Sequence, residues 1–190
     1  MKKIFVISCN PKKDSFRAEY LQAYIEEAKK AGNEVRFINI YGLEIDYLKF
    51  DGETPVTPLS NELKEAQDNL VWADQIVLSY PIWWLAIPAK LKSFIELVFQ
   101  EGIVSDMTEC GPKPLMKGKT AVVFQSYAMP AFAMKLFCGD IPMKYLKVIL
   151  TNWCGIKIEK RFDLDMSCSA SEKTKQKWLK EVKKFASKIK

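Results

Sequence analysis

Residues Ser79–Gly102 read S-Y-P-I-W-W-L-A-I-P-A-K-L-K-S-F-I-E-L-V-F-Q-E-G. Two adjacent tryptophans stand between two prolines, after one apolar run and before another at helical spacing. The preceding Gln75–Tyr80 reads as a central strand. Pro88 is suited to open a helix, because the first helical position has no use for its N–H. The stretch is therefore strand, short loop, helix. A loop normally carries small polar residues, so the two indoles imply either unusual packing or a flat ligand. Adjacent side chains of an extended segment point opposite ways, and the expectation is one indole turned to the core or an interface and one to a ligand.

The same alternation runs outward along the chain. Lys3–Ser8 is a short β-branched apolar run. From Ser15, the residues Phe16, Tyr20, Leu21, Tyr24, Ile25 and Ala28 fall on one helical face, and Gly32-Asn33 stops that helix. Val35–Ile40 is a second strand, and residues 42–60 are a connection rich in Gly and Pro. A helix over Ser60–Ala73 precedes the Gln75–Tyr80 strand, and a very apolar helix spans Pro88–Gln100. Residues 103–118 read as a loop and Thr120–Gln125 as a fourth strand. Residues 126–140 fit neither period. Ile141–Cys154 reads as helix, Ile156–Phe162 as the last strand, and a terminal helix begins after Ser169 or Ser171.

Five strand–helix alternations predict an α/β three-layer sandwich, a single domain over 1–190. Right-handed crossovers give a five-stranded parallel sheet of doubly wound order 2-1-3-4-5. Ligands of such sheets bind beyond the carboxyl ends of the strands, beside the switch point between strands 1 and 3. The loops at that edge are Ser8–Ser15, Tyr80–Ala86 and Gln125–Ala133, and the double tryptophan lies in the second.

Composition narrows the chemistry. The chain has 190 residues, 48% of them hydrophobic, which excludes disorder. No run approaches the roughly 20 apolar residues of a membrane span. The apolar start Ile4-Phe5-Val6-Ile7 breaks too soon for a signal peptide, so a cytoplasmic protein is expected. Five cysteines without a C-x-x-C pair, and no histidine at all, leave no pattern for a metal site. Without histidine there is also no Ser-His or Cys-His catalytic pair. The net charge of +6 sits in residues 171–190, which hold eight Lys and two Glu. There the lysines alternate with Trp178, Leu179, Val182, Phe185, Ala186 and Ile189 at helical spacing. They form the wet face of an amphipathic helix, so no nucleic-acid partner is expected.

The first loop, S-C-N-P-K-K-D-S-F-R, has neither G-x-G-x-x-G nor G-K-[ST]. It does lead into a helix N-terminus, where free N–H groups favour an anion. Ser15 is placed to cap that helix, and Arg17 offers a charge.

The continuous pattern from Pro81 to Gly102 resembles the NAD(P)H:quinone oxidoreductases of flavodoxin-like fold, with their P-[LI]-[YW]-W loop followed by P-A-x-L-K and an aromatic. The first loop is similar to that family's H-P-x-x-x-S-F in Pro11, Ser15 and Phe16, with Asn10 where those proteins usually have His. The resemblance implies a flavin bound non-covalently with NADPH or NADH as electron donor; the short chain and simple loops favour FMN, with FAD the alternative. It implies that Asn10, Ser15, Phe16 and Arg17 face the phosphate. Pro81, Ile82, Trp83, Trp84 and Leu85 would face the isoalloxazine, and Gln125, Ser126 and Tyr127 would begin the third loop. The family's Gly–Gly pair is missing from Q-S-Y-A-M-P-A-F, as is the histidine of some members, so Tyr127 is the one candidate acid. The implied reaction is a two-step hydride transfer to a quinone-like acceptor by a homodimer, its seam at the Pro88–Gln100 helix. A flavodoxin-type electron carrier and an inactive flavin-binding subunit are the alternatives.

Overall fold

The computed structural model describes residues 1–12 and 14–190. Its elements follow the expected alternation: β1 (Lys3–Ser8), α1 (Phe16–Lys30), β2 (Glu34–Asn39), a 3-10 turn Ile40–Gly42, and a small hairpin β3 (Phe50–Asp51) and β4 (Thr54–Pro55). Then come α2 (Asn61–Trp72), β5 (Gln75–Pro81), α3 (Ala89–Val98), a second hairpin β6 (Ser105–Thr108) and β7 (Gly111–Pro114), and β8 (Thr120–Ser126). The chain ends with α4 (Ala131–Leu136), α5 (Ile141–Lys147), a π-helical turn Val148–Trp153, β9 (Lys157–Leu164) and α6 (Glu172–Ala186).

The main sheet has order β2-β1-β5-β8-β9 and all four pairings are parallel. In strand count and order this is the predicted 2-1-3-4-5. The near-continuous apolar runs of β1, β5 and β8 explain why: strands buried on both faces need no polar alternation. On one face Phe5, Ile7, Ile76, Leu78, Ala121 and Val123 pack under α2, α3 and α5. On the other Ile4, Val6, Val77, Val122 and Phe124 pack under α1 and α6.

The caps follow the sequence. Ser15 caps α1, Ser60 caps α2 and Ser171 caps α6, each accepting a backbone N–H with its hydroxyl. Such caps are worth about 1 kcal/mol apiece. In α6 Val182 and Ala186, and just beyond it Ile189, are buried against the α1 side, leaving the lysines outside.

Two expectations change. The connections 42–60 and 103–118 each contain a hairpin. The apolar helix α3 buries Leu91, Phe94, Ile95, Leu97 and Val98 within its own chain, so it is core and not a free seam. No helix among the described residues is long and apolar enough to cross a membrane.

Candidate functional site

Parallel pairing brings one polar layer to the carboxyl edge on the α1 face. Ser8 is in register with Asn39 on one side and Ser79 on the other. Just beyond β1, the Asn10 side chain is 3% exposed, and its Nδ2 donates to Ser8 Oγ and to Ser79 Oγ, both at 3.1 Å. Its Oδ1 is buried without a partner among the described residues. The Ser15 hydroxyl accepts from the Ala18 N–H at 3.3 Å and donates to the Lys12 carbonyl at 3.1 Å. A cleft of about 720 Å³ lies here, lined by Ser8, Asn10, Lys12, Ser15 and Phe16 and reaching Phe37 on β2.

Arg17, in the first turn of α1, spans to the third loop, where its Nη1 donates to Ser126 Oγ at 3.1 Å. Its Nε is buried without a partner, and among the described residues no carboxylate lies within ion-pair distance of it. Burial pulls its pKa below the ordinary arginine value. A cation held partly desolvated with no counter-ion is a strong attractor for an anion.

The second loop is not extended. Trp83 N–H donates to the Ala86 carbonyl at 3.1 Å and Ala86 N–H returns to the Trp83 carbonyl at 3.0 Å. Trp84 and Leu85 between them sit at φ 51° and 58°. This is the two-residue turn whose central positions both lie in the left-handed region. The two indoles therefore do not alternate as in an extended segment, and neither fills the core of the chain: Trp83 is 45% exposed and Trp84 96%. The turn stands on a firm base, with Pro81 buried and the Ile82 N–H donating to the Ser126 carbonyl at 2.8 Å. Non-glycine residues in this region cost on the order of 1–2 kcal/mol each.

At the third loop, Ser126 faces Arg17 but Gln125 faces the opposite side of the sheet. Gln125 accepts from the Tyr80 hydroxyl at 3.1 Å and donates to Asp163 Oδ1 at 2.7 Å. Asp163 also accepts from Arg161 Nε at 2.8 Å, and Arg161 pairs with Asp140 at the start of α5. Burial pulls the Arg161 pKa down, but the two carboxylates outweigh it and hold the group above its ordinary range. Tyr127 is 4% exposed and its hydroxyl has no hydrogen-bond partner. Burial, reinforced by the Asp163 charge, pushes that phenol well above its ordinary pKa.

The sequence reading missed Ser8 and Ser79, the Arg161 ion network, and the segment after β9. That segment pins the third loop. Tyr127 N–H donates to the Leu164 carbonyl, Ser167 N–H to the Tyr127 carbonyl, and Met166 N–H to the Met129 carbonyl. Asp165 Oδ2 accepts the Ala131 N–H at 2.9 Å, capping α4, which has no side-chain cap of its own. The available signal for the serines was a polar residue at or near the end of each of two apolar strands.

Asn10, Ser15 and Phe16 thus line one cleft at the N-terminal end of α1, and Arg17, in the first turn of that helix, reaches Ser126. Pro81, Ile82, Trp83, Trp84 and Leu85 form the adjacent turn.

An FMN-dependent NADH:quinone oxidoreductase of Clostridium perfringens strain SM101 is 28% identical over 190 residues, covering 93% of this chain and 94% of that protein. One of Coprothermobacter proteolyticus is 31% identical over 148 residues, covering 70% and 73%. The crystal structure of Smu.1420 from Streptococcus mutans UA159 superposes with a TM-score of 0.83 at 28% identity, over 98% and 99% of the two chains. A family profile described as flavodoxin-like fold matches residues 2–186. With that match spanning nearly the whole chain, and with the 2-1-3-4-5 sheet, the protein belongs to the flavodoxin-like fold family.

Proposed function

We propose that the protein is a flavin-dependent NAD(P)H oxidoreductase that reduces quinones or similar flat electrophiles, with FMN as its cofactor and NADH as donor. The observation that carries this reading is the joining, at one sheet edge, of an anion-ready layer to an exposed aromatic turn. The residues fit FMN: among the described residues Arg17 lacks a counter-ion, Asn10 and Arg17 each leave a buried polar atom unpartnered, and the α1 N-terminus lies beside them. The full-length similarity to proteins named FMN-dependent NADH:quinone oxidoreductases points the same way.

When bound, FMN supplies two-electron chemistry, taking a hydride from the nicotinamide and passing it to the acceptor. The chain supplies the rest. Asn10, Ser15, Phe16 and Arg17 hold the phosphate end. Backbone groups of Pro81–Leu85 fix the flat end, and the exposed Trp84 indole offers a stacking face to nicotinamide or quinone. Ser126 orients Arg17, while Gln125 braces the strand ends from behind. Tyr127, buried and with its phenol held above the ordinary range, stays protonated. Protons for the reduced acceptor come from water.

A homodimer also belongs to this reading. Trp84, Phe132, Leu136, Phe137 and Ile141 are all more than half exposed. They come from the second loop, from α4 and its C-cap, and from the start of α5; the loop and α5 flank a small, mostly apolar hollow lined by Ala86, Ile87, Ile141 and Pro142. Exposed apolar surface of this kind marks an interface, here with the site at its border.

The test is the visible spectrum of the purified protein, followed by NADH oxidation with a soluble quinone. Flavin bands near roughly 370 and 450 nm that NADH bleaches and the quinone restores are expected. No bands after reconstitution with FMN would end the proposal. Bands that NADH does not bleach would favour an electron carrier. Light scattering at twice 21.8 kDa is expected for the dimer.

A further inference from the structure

Among the described residues, the Asn10 amide rests on two hydroxyls and nothing else. Ser8 and Ser79, neighbours across the β1–β5 pairing, present their Oγ atoms to the same Nδ2, and the amide oxygen is left buried without a donor. A serine hydroxyl both donates and accepts. A half-turn of the amide therefore keeps both serine bonds, with the hydroxyls now donating to Oδ1. It also brings the two N–H groups to the point where Oδ1 stood. The protein loses no hydrogen bond in the exchange, but the polarity shown to the cleft reverses from acceptor to donor.

Building on the FMN reading above, we propose that Ser8, Asn10 and Ser79 form a rotatable, uncharged clamp for the cofactor's terminal phosphate. Asn10 is the contacting group, and the two serines are positioning residues. An unliganded amide oxygen in a buried site costs free energy. A dianion that draws the N–H groups toward itself removes that cost and gains charge-assisted bonds. Arg17 reaches the same region through Ser126, and Lys12, Asp14 and Glu19 line the cleft. The clamp therefore adds donors without adding another charge. Riboflavin, which lacks the phosphate, gives the amide nothing to turn toward.

The ratio of FMN to riboflavin affinity, read by quenching of flavin fluorescence on titration with apoprotein, tests this. Asn10→Ala is expected to weaken FMN by about 10- to 100-fold while riboflavin changes less than about threefold. Asn10→Asp, nearly isosteric, turns an oxygen toward the phosphate whichever way it lies, and should weaken FMN at least as much. Ser8→Ala with Ser79→Ala should lower the ratio in the same direction, and Ser8→Thr with Ser79→Thr, which keep the hydroxyls, should restore it. Equal losses for the two flavins would make Asn10 merely structural and overturn the clamp, as would an unchanged ratio in Asn10→Asp. A wild-type protein that binds neither flavin would overturn the FMN reading together with the clamp.

Discussion

Trp84 and Leu85 hold the least favourable backbone positions of the site, both left-handed without being glycine. Within one protomer no described residue buries the Trp84 ring, so packing inside the chain does not repay the strain. Trp84→Asn keeps the turn and substitutes a residue that tolerates this region. It should raise stability by about 0.5–1 kcal/mol in urea unfolding and lower quinone turnover through a higher KM. A loss of stability would show that the indole is held by contacts the folded chain needs. The sequence announced this loop through its aromatic pair, but not its shape, because Trp-Leu carries none of the usual turn chemistry. Ser8 and Ser79 were harder still. A serine ending an apolar strand is ordinary until pairing sets two of them side by side beneath an asparagine.

Elements were legible where hydrophobic period and length agreed. The two hairpins were not, since β3 and β4 have two residues each and β7 is Gly111-Pro112-Lys113-Pro114. Proline in a strand is tolerated only where one edge needs no donor. The helix expected over Ile141–Cys154 widens into a π turn at Val148, and a helical pattern of apolar residues does not distinguish the two. Residues 126–140 gave no period because β9 and its following segment hold them. The Arg161 network ties β9 to α5 beneath that loop, with side chains only 16–21% exposed. Arg161→Met would leave Asp140 and Asp163 without their cation, at a cost of about 2–3 kcal/mol. Amide exchange should quicken across 127–137 more than in β1 or β5. Adding Asp140→Asn and Asp163→Asn should recover part of the loss, since the buried charges then vanish together. If the single variant melts like the wild type, the network does not anchor the loop.

At the scale of the whole molecule, β-branched strands fixed the sheet order, and the sheet order fixed where a ligand edge must lie. The same dense core sets the response to alkali. Cys9 and Cys154 are buried thiols, pushed by burial to about 11 and about 12. Tyr20 is likewise raised to about 12 by burial and nearby carboxylates. For each, the neutral form is the one the folded state holds. Below about pH 9, thiols are protonated whether the chain is folded or not, and their contribution is fully present. As pH rises past 9 the unfolded thiols ionise while Cys9 does not until about 11, so stability drains across that interval. A two-unit displacement corresponds to about 2–3 kcal/mol for Cys9, and Cys154 extends the decline toward pH 12. Between pH 6 and 8 no histidine exists to titrate, and stability should be nearly level. Urea midpoints measured at pH 7, 8, 9.5 and 10.5 should hold between the first two and then fall. In the Cys9→Ala, Cys154→Ala variant the starting stability will be lower, but the fall between pH 8 and 10.5 should shrink by about half. A wild-type midpoint that does not move by pH 10.5, or a variant that falls as steeply, would mean that the thiols reach solvent and ionise in the folded chain.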